Sequence, residues 1–206
     1  HELQGAEPVV SVARYYKDSS SAHIVGYVSE ISARDLRKKK YLTNLNIAGV
    51  AIGKTGLESS LDEEMLGTPG YLRYEVNAYG KRIKQVSTNE GLKGKTFKTT
   101  LDLDIQKTSA ESLTGVSGAV CVMDIYNGDV VSMVSSPNFN PNSFVHGVNH
   151  NEWKELIENR DKPLLNKAVS GLYPPGSTIK TLTALSALEN DIVSPRLIVK
   201  CKGYVD

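Results

Sequence analysis

172-LYPPGSTIKTLTALSALEN-190 decides the reading of this chain. Pro174, Pro175 and Gly176 spell a rigid turn, Ser177 follows at once, and a largely apolar helical run begins. One turn into that run stands Lys180, where leucine or alanine would pack more easily. Residues three apart on a helix share a face, so this spacing brings a hydroxyl and an amine to the same side. A serine hydroxyl is a poor nucleophile until a base takes its proton. The first turn of a helix offers unpaired N–H groups and the positive end of the dipole, both favourable to an oxyanion. Burial among Ile179, Leu182 and Leu185, or a second nearby cation, would favour the neutral amine that a general base requires. The competing reading is plain: serine at a helix start is a routine cap, and a helical lysine extends to water. Ser177 is nevertheless the single serine in the chain with lysine three residues later, and it sits in the wider pattern Y-P-P-G-S-T-x-K.

Working outward from this stretch, Asn151 to Asn159 reads as a short amphipathic helix with Trp153, Leu156 and Ile157 on its inner face, and Pro137 to Val148 as loop. SGAVCVMDIYNGDVVSMVSSP reads as two apolar strands flanking Asn127-Gly128, the dipeptide suited to a tight hairpin turn, with Tyr126 structural. TFKTTLDLDIQKTSAESL predicts a strand running into a helix capped near Asp102 or Asp104. The polar, Gly-rich segment from Asn89 to Lys95 marks a boundary near residue 95. Before it, Tyr71 to Asn77 and Arg82 to Thr88 predict a hairpin around Tyr79-Gly80. Gly56 to Met65 predicts an acidic helix, with Thr55 and Glu58 in a capping-box pattern. Val9 to Tyr16 is strand-like, and Ser19 to Ser21 a turn. Arg34 to Lys40 is a basic run, read as a solvated loop, with contact to anionic headgroups or a partner as the alternative.

The totals set bounds. With 206 residues, a formal net charge of +1, 40% hydrophobic and 23% charged residues, the chain has ordinary globular composition and no charge bias toward nucleic acid. No apolar run approaches the ~18 residues of a membrane span. Cys121 and Cys201 have no C-x-x-C spacing, so they either pair or stay free. His146 and His150, four apart in a loop without a third ligand, make a poor metal site.

The wider context resembles a known family. LYPPGSTIKTLTALSALE is similar to the active-site segment of class B penicillin-binding proteins, most closely the cell-elongation type, and S-x-x-K is the nucleophile motif of such acyl-enzymes. HIVGYVSEI, GKTGLESSLDEEMLGTPG and VNAYGKRI resemble the pedestal and linker of that family. TLDLDIQKTSAESL, SGAVCVMDIYNGDVVSMVSSPNFNPNSF and DKPLLNKAVSGLYPPGST resemble the opening of its transpeptidase domain. The resemblance runs from about residue 8 to 190. It implies an α+β chain: an irregular pedestal/dimerisation and linker domain over 1–95, then over 96–206 the N-terminal part of a penicillin-binding, β-lactamase-like α/β domain.

The resemblance also implies a function. Ser177 would attack the penultimate D-alanine carbonyl of a peptidoglycan stem peptide and supply one oxyanion N–H, and Lys180 would be the acylation base. β-Lactams would be covalent inhibitors and a RodA-type glycosyltransferase the partner, at the periplasmic face of the inner membrane, with no metal or organic cofactor. Two further family motifs, S-x-N and K-T-G, follow the nucleophile in such enzymes, and none follows Ser177 before Asp206. Lys54-Thr55-Gly56, Ser87-Thr88-Asn89 and Ser136-Pro137-Asn138 match the spelling upstream but read as chance matches in structural settings. The chain, which opens at His1 without a signal-peptide pattern, is therefore expected to be the front of a longer transpeptidase and inactive alone. The rival readings are a non-catalytic interaction module and a different S-x-x-K acyl-enzyme such as a β-lactamase, against which the long segment before Ser177 argues.

Overall fold

The computed structural model describes residues 13–44, 50–200 and Gly203. The chain divides into two compact units, His1–Gly171 and Leu172–Asp206.

Among the described residues, the first unit mixes helices with three separate antiparallel strand pairs. A 3-10 turn at Ser19–Ser21, capped by Asp18, leads into the single-turn helix α1 (Ala22–Val25) and strand β1 (Val28–Glu30). Helix α2 (Ala33–Lys38) opens with a capping box: Ser32 accepts from the Asp35 N–H, and the Asp35 carboxylate accepts from the Ser32 N–H. The basic run is thus not a loop but a helix followed by a 3-10 turn at Lys40–Asn44. Strand β2 (Ala51–Gly53) pairs with β1. The predicted acidic helix is two short helices, α3 (Gly56–Ser60) and α4 (Asp62–Leu66), broken at Leu61. Thr55 stands at the N-cap without a side-chain bond, and the expected capping box does not form. The reason is competition: Glu58 turns inward to Arg14, with an Nε–Oε1 distance of 2.8 Å, and to the Tyr16 hydroxyl. Asp62 is likewise buried, accepting from the Gly53 N–H at 2.8 Å, from Lys39 at 2.8 Å and from the Tyr41 hydroxyl.

Strands β3 (Tyr71–Val76) and β4 (Arg82–Asn89) form the expected hairpin. The residues before Asp102 are not a strand. They follow the outer edge of a later strand instead, with Thr100 Oγ1–H donating to the Val130 carbonyl and the Asp102 N–H to that of Val131. Helix α5 (Leu103–Ser112) is capped by Asp102, which accepts from the N–H groups of Asp104 and Ile105. β5 (Gly118–Met123) and β6 (Val130–Ser136) pair as read, but the connection is wider than a two-residue turn. The Asp124 N–H donates to the Asp129 carbonyl, and Asp124 and Asn127 side chains fold back onto the loop backbone. Of the strand-like Val9 to Tyr16, Ala13–Tyr16 is irregular and the rest lies outside the described residues.

The segment read as loop holds helix α6 (Asn142–Val145) and the centre of the core. Phe139 and Phe144 pack edge to face at 5.5 Å with Ala22, and Tyr27 stacks on Phe144 at 4.0 Å. Aromatic pairs add about 0.5–1.5 kcal/mol beyond the area they bury, so a proline-bounded segment without apolar periodicity still anchors the unit. Helix α7 (His150–Glu158) begins where the Asn149 side chain caps the Glu152 N–H, and Trp153 and Leu156 close the same cluster. Helix α8 (Lys167–Ser170) ends the unit.

In the second unit a 3-10 turn at Gly176–Thr178 runs into helix α9 (Ile179–Glu189). Gly176 takes φ +55, a left-handed conformation that a side chain would strain.

Candidate active site

Ser177 does not lie in the first turn of α9, as the spacing alone suggested, but in the 3-10 turn that feeds it. Pro174 and Pro175 restrict the backbone leading in, and the Thr178 N–H and hydroxyl both donate to the Pro175 carbonyl, tightening the turn. Thr181 and Thr183 turn their hydroxyls back to the carbonyls of Thr178 and Ile179. These threonines thus satisfy themselves against their own helix instead of capping a neighbour. Lys180 is the second residue of α9. The Ser177 hydroxyl and the Lys180 amine each lack a hydrogen bond or ion pair to any other described residue.

The apolar surround expected for Lys180 is not supplied by the described residues. Lys180 is exposed, and Ile179, Leu182 and Leu185 are 45%, 61% and 52% exposed. Apolar and polar residues alternate around the helix, so no single face of it is a core face. The turn therefore presents a hydroxyl at a helix entrance with an amine one turn on.

The upstream motif matches hold structural positions. Lys54 Nζ pairs with Asp35 at 2.5 Å and donates to the Glu30 carbonyl at 2.8 Å, which ties α2 to the β1–β2 pair. Gly56 has φ +58, and a Cβ there would fall 2.4 Å from the Ile24 carbonyl oxygen, so Lys54-Thr55-Gly56 marks a close backbone crossing. Ser136 donates to the Leu113 carbonyl and Asn138 to that of Ser19, across a cis Ser136–Pro137 bond. Ser87-Thr88-Asn89 closes β4 opposite β3, where Asn89 accepts from the Gly91 N–H. Among the described residues no group of three His, Cys, Asp or Glu side chains gathers within reach of a metal ion, and no helix is long and apolar enough to cross a membrane. Cys121 stands exposed as a free thiol on β5, and Cys201 lies outside the described residues.

Sequence reasoning passed over two buried polar groups of the first unit. Gln106 is fully buried. Its Nε2–H groups donate to the carbonyls of Ser20 and Met133, and its Oε1 accepts from the Ser132 hydroxyl and the Met133 N–H, at 2.8–3.0 Å. His23 on α1 is also buried, with Nε2 at 2.7 Å from the Pro163 carbonyl. No local signal marks either, since the partners of Gln106 are 26 to 86 residues away and that of His23 is 140 away.

A family model of the penicillin-binding protein dimerisation domain matches residues 1–99, and one of the penicillin-binding protein transpeptidase domain matches residues 118–205. The peptidoglycan D,D-transpeptidase MrdA of Acinetobacter baumannii is 35% identical over 99% of this chain, which takes in 30% of that protein. MrdA of Escherichia coli K12 is 36% identical over 94% of the chain and 31% of its own length. Among solved structures, PBP2 of Helicobacter pylori in complex with MreC matches with a TM-score of 0.74 at 30% identity, covering 92% of this chain and 36% of that one. PBP2 of Pseudomonas aeruginosa in complex with WCK 5153 gives 0.73 at 30% identity over 93% and 40%. The chain thus spans about a third of the length of the curated relatives it matches. With both domain models met in order and a solved fold shared over nine-tenths of its length, the chain belongs to the penicillin-binding proteins.

Proposed function

We propose that the protein carrying this chain is a peptidoglycan D,D-transpeptidase of cell elongation, with Ser177 as nucleophile and Lys180 as acylation base. Residues up to about 95 form its pedestal and linker, and the rest opens its transpeptidase domain. The observation that carries the reading is the placement of Ser177 in a Pro-Pro-Gly-set turn at the entrance of α9, one turn before Lys180. Lys180 accepts the hydroxyl proton as Oγ attacks the penultimate D-alanine carbonyl. The amide C–N bond breaks, the proton passes to the departing D-alanine amine, and an ester to Ser177 remains. An amine from a second strand then displaces the ester, forming the cross-link and returning the proton to Oγ. A β-lactam opens its own C–N bond in the same first step and leaves a slow ester. The names of the relatives support this substrate class, and the MreC complex of the H. pylori protein supports partners drawn from the elongation machinery. A RodA-type glycosyltransferase is a further partner, and the site of action is the periplasmic side of the inner membrane.

The exposed face of α9 favours a second reading for the chain on its own, a non-catalytic interaction module. Intact-mass analysis after benzylpenicillin separates them, using this chain, the same chain continued through the length of its relatives, and Ser177→Ala in both. An adduct on the continued chain that Ser177→Ala abolishes is the expected result. Absence of an adduct from both wild-type forms would overturn the nucleophile assignment and favour the module.

A further inference from the structure

One residue before Ser177 the backbone changes hand. Pro175, Thr178 and Ile179 lie in the right-handed helical region, at φ -68, -64 and -67, while Gly176 stands at φ +55. Ser177 is not among the residues at positive φ, so the excursion is one residue long and ends at the nucleophile. A left-handed residue straight after a right-handed one turns the backbone N–H groups around it to one side. The Ser177 N–H follows directly on that reversal.

Space does not account for the glycine. A Cβ built on Gly176 would meet no heavy atom of the described residues within 4 Å, whereas one on Gly56 would fall 2.4 Å from the Ile24 carbonyl oxygen. What a side chain contests at 176 is the sign of φ alone. The neighbours cannot make the reversal instead. Pro174 and Pro175 have φ held negative by their rings. The Thr178 N–H and hydroxyl both hold the Pro175 carbonyl, closing the turn around Gly176 and Ser177. A residue at 176 that prefers negative φ must therefore swing the peptide plane between 176 and 177. That plane carries the Ser177 N–H and leads directly to the Ser177 Cα.

The competing reading is an ordinary turn glycine. Gly80 and Gly128 are of that kind, at positive φ with open space around a built Cβ, but each stands in the connection between two paired strands. Gly176 stands beside the candidate nucleophile. We infer that Gly176 is a positioning residue for Ser177: its left-handed backbone sets the direction of the Ser177 N–H, the oxyanion donor, and the point from which Oγ leaves the turn. The inference rests on the reading of Ser177 as nucleophile, and all the geometry it uses lies within residues 174–180. A displacement of about 1 Å at a reacting atom costs on the order of 100-fold in rate.

The test uses the whole protein and benzylpenicillin, with the acylation rate constant resolved from non-covalent affinity by stopped-flow. Valine, branched at Cβ, is strongly disfavoured at positive φ, and asparagine is the larger residue that adopts it most readily. Gly176→Val is expected to slow acylation by about 10-fold or more while affinity changes by less than about 3-fold. Gly176→Asn is expected to recover most of the rate, with Gly176→Ala between the two, so the order follows φ preference and runs against size. Should Gly176→Val fail to fold, the comparison of Gly176→Asn with Gly176→Ala decides, the larger residue being the faster. Acylation of Gly176→Val at the wild-type rate, a Gly176→Asn no faster than Gly176→Ala, or a loss carried by affinity instead of rate would overturn the inference. A wild-type protein that is not acylated overturns the nucleophile reading and this inference together, an outcome distinct from a misplaced turn.

Discussion

Replacing Gln106 by leucine should cost this fold more than any exposed substitution could. The amide does the work of a missing strand: it donates to Met133 O and accepts from Met133 N–H along the outer edge of β6. It also donates to Ser20 O and accepts from Ser132 Oγ, so all four of its hydrogen-bonding positions are used. Leucine fills nearly the same space and makes none of these bonds. Ser132 keeps a second partner, the Ser109 hydroxyl at 3.1 Å. The Met133 N–H, the Met133 carbonyl and the Ser20 carbonyl are left, and each orphaned buried group costs about 1–3 kcal/mol. Allowing for the extra apolar burial of leucine, the sum is roughly 3–6 kcal/mol, a large part of the ~5–15 kcal/mol that holds an ordinary domain together. In a chain of this size that lowers Tm by roughly 6–24 °C. Urea titration followed by far-UV circular dichroism reads the loss directly, as a lower midpoint at unchanged slope. Gln106→Glu, with the same shape but oxygen in place of the donor, should be no milder. A loss below about 1 kcal/mol for Gln106→Leu would refute the strand-substitute argument.

Burial opposes the charge on Asp35, but bonds from Lys54 and Ser32 outweigh it and hold the carboxyl at about 2 against its ordinary 3.8. A depressed folded-state value stabilises above the unfolded one, so the advantage of wild type over Asp35→Asn should shrink as pH falls from 4 through 2, and a pH-independent difference in urea midpoints would contradict it. Gly56→Ala forces a Cβ to 2.4 Å from Ile24 O and 2.7 Å from Gly26 N at φ +58, and thermal melting should show a loss of more than about 1 kcal/mol. Gly80→Ala, also at positive φ but with nothing within 4 Å of the new Cβ, should lose less, and equal losses would place the cost in φ alone.

What could be read from the sequence was local. The β3–β4 hairpin, the Asp102 cap of α5 and the helix carrying Trp153 each depend on residues within a turn of one another. The Ser177–Lys180 spacing is of the same kind, which is why the candidate site was legible while its surroundings were not. The failures share the opposite property. Glu58 had the right offset for a capping box but was drawn 44 residues away to Arg14. Phe139 and Phe144 lie in a stretch with no periodicity, so the centre of the core read as loop. The true capping box, Ser32 with Asp35, straddles the start of a basic run whose charge attracted a loop reading. Lys180 lacked its expected apolar cover because α9 presents its leucines outward among the described residues.

The 140-residue separation between His23 and Pro163 also sets a schedule for synthesis. A ribosome adds about 5–20 residues each second, so His23 joins the chain roughly 7 to 28 seconds before its partner carbonyl exists. Over most of that interval Ala22 and Tyr27 have neither Phe139 nor Phe144 to pack on. The N-terminal part of this chain must therefore wait, unfinished, on neighbours made more than a hundred residues later, and its order of assembly departs from its order of manufacture.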